Sequence, residues 1–253
     1  MGEQMGAQMG DLDFSGKKVL VVGGSSGIGN GIAHGFRDHG AEVFVWGTRA
    51  TAADYEGEQG SDLAGLHYAQ INASDYDALT AYAPPFDSLD VLVLCQGTVR
   101  YGHEEFEKPG WDAVMDVNIN SVMHCANKFK PLLAASKGSM IIVSSVSGMR
   151  ANLGNPAYAA SKAGAVSLTK TLGEAWARDG IRVNGLAPGL IPTKLTAVTT
   201  ENEKRNAGAL RNIPLRRAGT PAEMAGVALF LASPLASYVL GQTIVADGGL
   251  TLS

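Results

Sequence analysis

The chain has 253 residues, 45% of them hydrophobic and 17% charged, and its formal net charge is −4. That length suits one large α/β domain with a substantial core, and a mildly acidic chain without a basic stripe argues against nucleic acid as a partner. Two cysteines, Cys95 and Cys125, make no disulfide framework and no metal site, none of the five histidines has metal-ligand spacing, and no apolar run approaches the ~18 residues of a membrane span.

Residues 1–11 read as a flexible tail. They lack the apolar core of a signal peptide and the Ser or Thr that myristoylation prefers. A cytoplasmic protein is expected, with a single domain over 12–253. Residues 17–22, two lysines and then four apolar residues, read as a strand, the continuous apolar part being what a parallel strand covered on both faces shows. The run leads into Gly23-Gly24-Ser25-Ser26-Gly27-Ile28-Gly29, and a helix is expected over 30–39. Glycines there permit a tight turn and close approach of a phosphate, while the helix N-terminus supplies N–H donors and positive dipole. A dinucleotide site is the reading this placement favours.

A second strand, 42–46, ends in Gly47-Thr48-Arg49. An acid near Gly47 would hold the ribose 2′-hydroxyl of NAD; its absence, with Arg49 close behind, favours NADP(H), NAD(H) remaining possible. The plain alternative is that Arg49 faces solvent or pairs with Asp54 or Glu56. Further strands are expected at 66–71, 89–94, 140–144, 181–186 and 243–246, and helices at 75–82, 111–130, 155–178 and 221–232. Residues 190–215 are polar and poorly periodic and read as a mobile lid. Strands alternating with helices imply a parallel, doubly wound α/β sheet.

The chemistry concentrates at Tyr158-Ala159-Ala160-Ser161-Lys162. On a helix, Tyr158 and Lys162 lie on one face. A cation there favours the phenolate and makes the phenol a better general acid/base near neutrality. Such a pair is more often solvated and of little consequence, so its weight comes from the glycine turn and from the hydroxyls, Ser144 and Ser145, that end the strand before it.

Together these residues resemble the short-chain dehydrogenase/reductase family, in its one-domain branch, over nearly all of 14–250. The family's T-G-x-x-x-G-x-G turn matches residues 22–29, with Val22 replacing the threonine. The resemblance implies a Rossmann-type sheet of about seven strands with helices on both faces, and an NAD(P)-dependent carbonyl reductase or alcohol dehydrogenase. Its catalytic tetrad falls on Asn118, Ser145, Tyr158 and Lys162, with the spacing to Tyr158 preferring Ser145 over Ser144. Tyr158 is implied as the proton donor or acceptor. Lys162 would lower its pKa and hold the nicotinamide ribose, Ser145 would orient the substrate oxygen, and Asn118 would hold a water. Cofactor contacts are implied at Gly23, Ser25, Ser26, Gly27, Ile28, Gly29, Thr48, Arg49, Asn72, Gly97, Tyr158, Lys162, Pro188, Gly189, Ile191 and Thr193. Two departures stand out: the family's N-N-A-G reads Leu94-Cys95-Gln96-Gly97, and an aspartate that contacts adenine reads Asn72.

A small or medium-sized hydrophobic ketone or alcohol is the expected substrate, walled by Val99, Tyr101, Met149, Leu153, Leu190 and Leu195. The alternatives are a 3-oxoacyl-carrier-protein reductase and a cofactor-binding regulator that has lost catalysis. The family's habit of pairing its long helices implies a homotetramer.

Overall fold

The computed structural model describes residues 12–252; the expected tail, 1–11, lies outside the described residues. Seven strands make one sheet in the order β3-β2-β1-β4-β5-β6-β7, and every neighbouring pair is parallel. They are β1 (Lys18–Val22), β2 (Glu42–Gly47), β3 (His67–Gln70), β4 (Val91–Leu94), β5 (Ser139–Val143), β6 (Arg182–Pro188) and β7 (Thr243–Ala246). The central strands are apolar on both sides because both faces are covered. Alternate residues of β1 serve opposite cores: Leu20 and Val22 pack with Phe129, Leu172 and Trp176, Val19 and Val21 with Ile32, Phe36 and Leu229.

The strand order reverses between β1 and β4. In an open parallel sheet that is where neighbouring crossovers diverge and leave a crevice beyond the carboxyl ends of the strands. The helices that frame it are α1 (Gly27–Asp38), α2 (Tyr76–Ala81), α3 (Lys108–Met115), α4 (Ser121–Ser136), α5 (Pro156–Trp176), α6 (Ala197–Thr200), α7 (Glu203–Arg211) and α8 (Pro221–Ala232).

Three elements differ from the sequence reading. α1 begins at Gly27, inside the glycine turn rather than after it. The crossover from β2 to β3, where no helix is expected, holds only a 3-10 turn, Ala52–Tyr55. The single helix expected over 111–130 is α3 and α4 joined by a π-turn, Asp116–Asn120. A π-turn widens the helix by one residue and releases backbone from its usual register, and Asn118 sits within it. The stretch expected as an unpatterned lid, 190–215, carries a 3-10 turn and two helices, α6 and α7. α7 starts where the Asn202 side chain accepts the Arg205 N–H at 3.0 Å, an N-cap that needs no apolar periodicity. No helix among the described residues is long and apolar enough to cross a membrane.

Candidate active site

A cleft of about 560 Å³ opens at the sheet's reversal point. Gly23 makes its floor possible: φ is 77°, and a Cβ there would stand 2.8 Å from the Gln96 amide nitrogen, so the ends of β1 and β4 meet only with glycine at this place. Ser26, which precedes α1, makes no side-chain cap. The Gly27 N–H donates to the Gly60 carbonyl at 2.7 Å, which leaves the Ile28 and Gly29 amides as the first-turn donors that face an anion. Of the residues expected to hold a cofactor, Gly23, Ser25, Ser26, Gly27, Ile28, Gly29, Thr48, Asn72, Gly97, Tyr158, Lys162 and Thr193 all line this cleft. Asn72 Oδ1 is already taken by the Ser74 amide at 3.2 Å and the Ser74 hydroxyl at 2.8 Å, so its amide nitrogen is the group available to a base.

The end of β2 has no room for an acid. A Cβ on Gly47 would lie 2.6 Å from both Ser25 Oγ and Tyr55 Oη. Tyr55 Oη in turn accepts the Thr48 and Arg49 N–H groups at 3.2 and 3.3 Å, fixing the turn that carries Arg49. That guanidinium lies over the Tyr55 ring, 4.6 Å from its centre, and donates to the Asp54 carbonyl and to Glu58. Its acidic partner is therefore Glu58 rather than Asp54 or Glu56. The other Glu58 oxygen takes the ammonium of Lys194, on the far side of the cleft.

The four residues of the expected tetrad come from three places in the chain, the π-turn, the end of β5 and α5, and of them Tyr158 and Lys162 line the cleft while Asn118 and Ser145 stand behind it. Asn118, buried in its π-turn, accepts the Thr98 N–H at 2.8 Å and donates to the Thr98 carbonyl at 2.9 Å and to Ser161 Oγ at 3.1 Å. Its amide thus clamps the chain just beyond β4 to α5. Ser144 Oγ donates to the Lys162 carbonyl at 2.7 Å and is spent on holding α5. Ser145 begins a 3-10 turn with its Oγ accepting the Ser147 N–H at 3.1 Å, and it is the hydroxyl beside Tyr158. Lys162 is buried. Its Nζ donates to the Val143 carbonyl at 2.9 Å and stands 5.8 Å from the centre of the Tyr158 ring.

Burial dominates the protonation of this pair. It brings the Lys162 ammonium down to about 8 and pushes the Tyr158 phenol above its ordinary value, against the opposing pull of the Ser145 hydroxyl. The sequence suggests a phenol lowered by its cation; in the structure desolvation is the larger influence.

Several expected residues lie elsewhere. Arg49, Pro188 and Gly189 are outside the cleft lining, and Ile191 lines a second cavity of about 200 Å³ together with Leu190. Of the expected substrate wall, Leu195 lines the main cleft, and the Tyr101 hydroxyl reaches its carbonyl at 2.7 Å, bridging the two sides. Val99, Met149 and Leu153 are outside the lining, and Leu153 is 92% exposed. Residues the sequence did not mark include Trp46, Gln96 and Val117 on the cleft wall, Glu58 across it, and Glu105 behind Tyr158. Gln96 Oε1 is buried there without a hydrogen-bond partner. No cluster able to hold a metal ion occurs among the described residues.

A family model described as enoyl-(acyl carrier protein) reductase matches residues 22–251. The chain is 39% identical to a 3-oxoacyl-[acyl-carrier-protein] reductase of Chlamydia pneumoniae, over 95% of this chain and 99% of that one. It is 32% identical to a gluconate 5-dehydrogenase of Gluconobacter oxydans, covering 96% and 97% of the two chains. Among solved structures, a gluconate 5-dehydrogenase from Burkholderia cenocepacia, in complex with NADP and tartrate, superposes with a TM-score of 0.85 at 29% identity, over 96% and 98% of the chains. The glycine turn, the cleft at the strand reversal and these likenesses agree: the chain belongs to the short-chain dehydrogenase/reductase family, NAD(P)-dependent oxidoreductases acting on CH–OH and C=O groups.

Proposed function

We propose that this chain is an NADPH-dependent reductase of 3-oxoacyl thioesters, with Tyr158 as the proton donor. The observation that carries the substrate class is the charge of the segment that reaches the cleft at Thr193, Lys194 and Leu195. Between 190 and 217 stand Lys194, Lys204, Arg205, Arg211, Arg216 and Arg217 against only Glu201 and Glu203, in a chain whose net charge is −4, and all six cations are exposed. Lys194 itself lines the cleft; it is paired with Glu58, and Arg217 with Glu223, which leaves Lys204, Arg205, Arg211 and Arg216 as the excess. A basic segment beside Tyr101 and Leu195 fits an acyl group delivered on an acidic carrier better than it fits a neutral ketone.

The unengaged Ile28 and Gly29 amides at the start of α1 and the orphan Gln96 Oε1 suit a dinucleotide. Asn72 would face its adenine, Gly97 the ribose beside Lys162, Thr48 and Arg49 its 2′-phosphate, and Ser25 to Gly29 its diphosphate. Tyr158 and Lys162 would hold the nicotinamide ribose, with Pro188, Gly189, Ile191 and Thr193 at the nicotinamide end. Bound there, the cofactor supplies the hydride. Ser145 orients the carbonyl oxygen, Tyr158 delivers a proton to it, and Lys162 favours the phenolate left behind. Asn118, with both ends of its amide engaged, acts by holding Thr98 against α5. A regulator without catalysis is disfavoured, because a buried ammonium destabilises a fold that has no use for it. The surroundings we infer are a cytoplasmic homotetramer.

The test is cofactor absorbance at 340 nm with acetoacetyl-CoA, gluconate and simple ketones, run beside Tyr158→Phe. NADPH-driven reduction of acetoacetyl-CoA is expected, with Tyr158→Phe losing roughly 10²-fold or more in turnover. Oxidation of gluconate without reduction of the thioester overturns the substrate class. Near-wild-type turnover in Tyr158→Phe overturns the chemistry.

A further inference from the structure

Glu105 is the only fully buried carboxylate among the described residues. A carboxylate in that position is costly unless hydrogen bonds replace its water, and here every one comes from the active site. Oε1 accepts the Arg100 N–H at 2.9 Å and Asn155 Nδ2 at 3.3 Å, and Oε2 accepts the Tyr158 N–H at 2.9 Å. Tyr158 is the third residue of α5, and no carbonyl one turn back is available to its amide. The helix has no cap of its own there: Asn155 makes no side-chain cap, and the first turn contains no acid. Asn155 instead donates to the Arg100 carbonyl at 2.7 Å. A side chain from 53 residues upstream therefore caps the turn that carries Tyr158, and an anion there is favoured by the helix dipole.

The placement of Glu105 is itself built in. It lies in a 3-10 turn, Glu104–Phe106, entered through His103 at φ 67°. The turn packs against Gly110, where any Cβ would collide with the Glu104 carbonyl. The loop that Glu105 grips continues through Tyr101, whose hydroxyl crosses to Leu195.

We propose that Glu105 is a positioning residue for the reaction: its carboxylate locks the first turn of α5, and with it the Tyr158 phenol, to the 99–101 loop on the substrate side of the cleft. This rests on Tyr158 as the proton donor. The groups facing that phenol are Lys162 on its own helix, Ser145 beyond β5, Cys95 beyond β4, and Tyr101 and Glu105 on the following loop. Among them Glu105 is the carboxylate, and its charge opposes the phenolate. Glu105→Gln keeps the shape, removes the charge and turns an NH₂ toward an N–H, so at least one of the three bonds is lost. Glu105→Asp keeps the charge and loses the reach.

The experiment measures amide exchange at Tyr158 in the cofactor-free protein, and the pH profile of turnover with NADPH and acetoacetyl-CoA, or a ketone from the same panel. Both variants are expected to exchange the Tyr158 amide at least tenfold faster and to lose roughly tenfold in kcat, with NADPH binding unmoved. In Glu105→Gln the alkaline limb should also move to lower pH, because the phenol gives up its proton earlier, while in Glu105→Asp it stays. An unchanged Tyr158 amide, or wild-type kcat in both variants, overturns the proposal. So does a kcat loss that only follows lost cofactor binding with the limb fixed. If Glu105→Gln does not fold, the Glu105→Asp amide rate and kcat decide alone. Tyr158→Phe run in parallel separates the two claims: if it is active, the proton-donor reading fails; if it is dead while the Glu105 variants are unaffected, only the positioning role fails.

Discussion

Replacing Lys162 by Met should stabilise the fold while abolishing catalysis, and the balance should depend on pH. Burial brings the Lys162 ammonium from an ordinary 10.5 to about 8. At ~1.4 kcal/mol per pH unit, the charged form costs the fold about 3 kcal/mol at pH 7. Because the folded value lies below the unfolded one, the unfolded chain binds more protons between about pH 8 and 10.5, and wild-type stability rises with pH through that window. By pH 9.5 the residual cost is about 1 kcal/mol. Against this, Lys162→Met strands the Val143 carbonyl that Nζ now reaches at 2.9 Å, a loss of roughly 1–2 kcal/mol at any pH. The variant should therefore gain about 1–2 kcal/mol at pH 7, roughly 2–8 °C in Tm for a chain this size, and gain nothing at pH 9.5. Thermal unfolding of both proteins across that range measures the difference. A Tm difference that stays constant with pH, or a variant less stable at pH 7, refutes the reasoning.

Two further outcomes bear on cofactor and assembly. Arg49→Ala should weaken NADPH binding roughly tenfold or more in a fluorescence titration while leaving NADH nearly unmoved, since a guanidinium–phosphate pair contributes about 1.5–3 kcal/mol; an unmoved NADPH/NADH ratio makes Arg49 a partner of Glu58 and nothing else. Light scattering at micromolar concentration should give four times the 26.3 kDa chain mass, and a monomer mass refutes the tetramer.

The sheet was legible because its chemistry is local. Runs such as 19–22 and 91–94 are apolar without alternation, which a strand covered on both faces requires, and each has a glycine within three residues of its end, Gly23 and Gly97. The pairing of Tyr158 with Lys162 was legible for a similar reason: helical spacing alone puts them on one face. The π-turn was not, because one residue inserted between α3 and α4 leaves a pattern that still scans as continuous helix. Asn118 marked the place without revealing that both ends of its amide go to Thr98.

Residues whose place depends on burial were the hardest to read. Leu153 and Met149 were assigned to the wall because they are apolar and close to the motif, yet apolar identity does not say which way a loop faces, and both are exposed. Glu105 stands in the run Glu104-Glu105-Phe106-Glu107, where nothing distinguishes one acid from its neighbours. What separates it is a left-handed turn at His103 and a glycine at 110, which together aim one carboxylate inward while Glu104 and Glu107 stay in water. Glu58 is the same problem at the surface: its partners Arg49 and Lys194 are 9 and 136 residues away, and the β2–β3 crossover that carries it has only the 3-10 turn Ala52–Tyr55 to mark its course. Sequence periodicity reports which elements form. The charges that tune the site are placed by turns that interrupt those elements, and their partners are set by the fold.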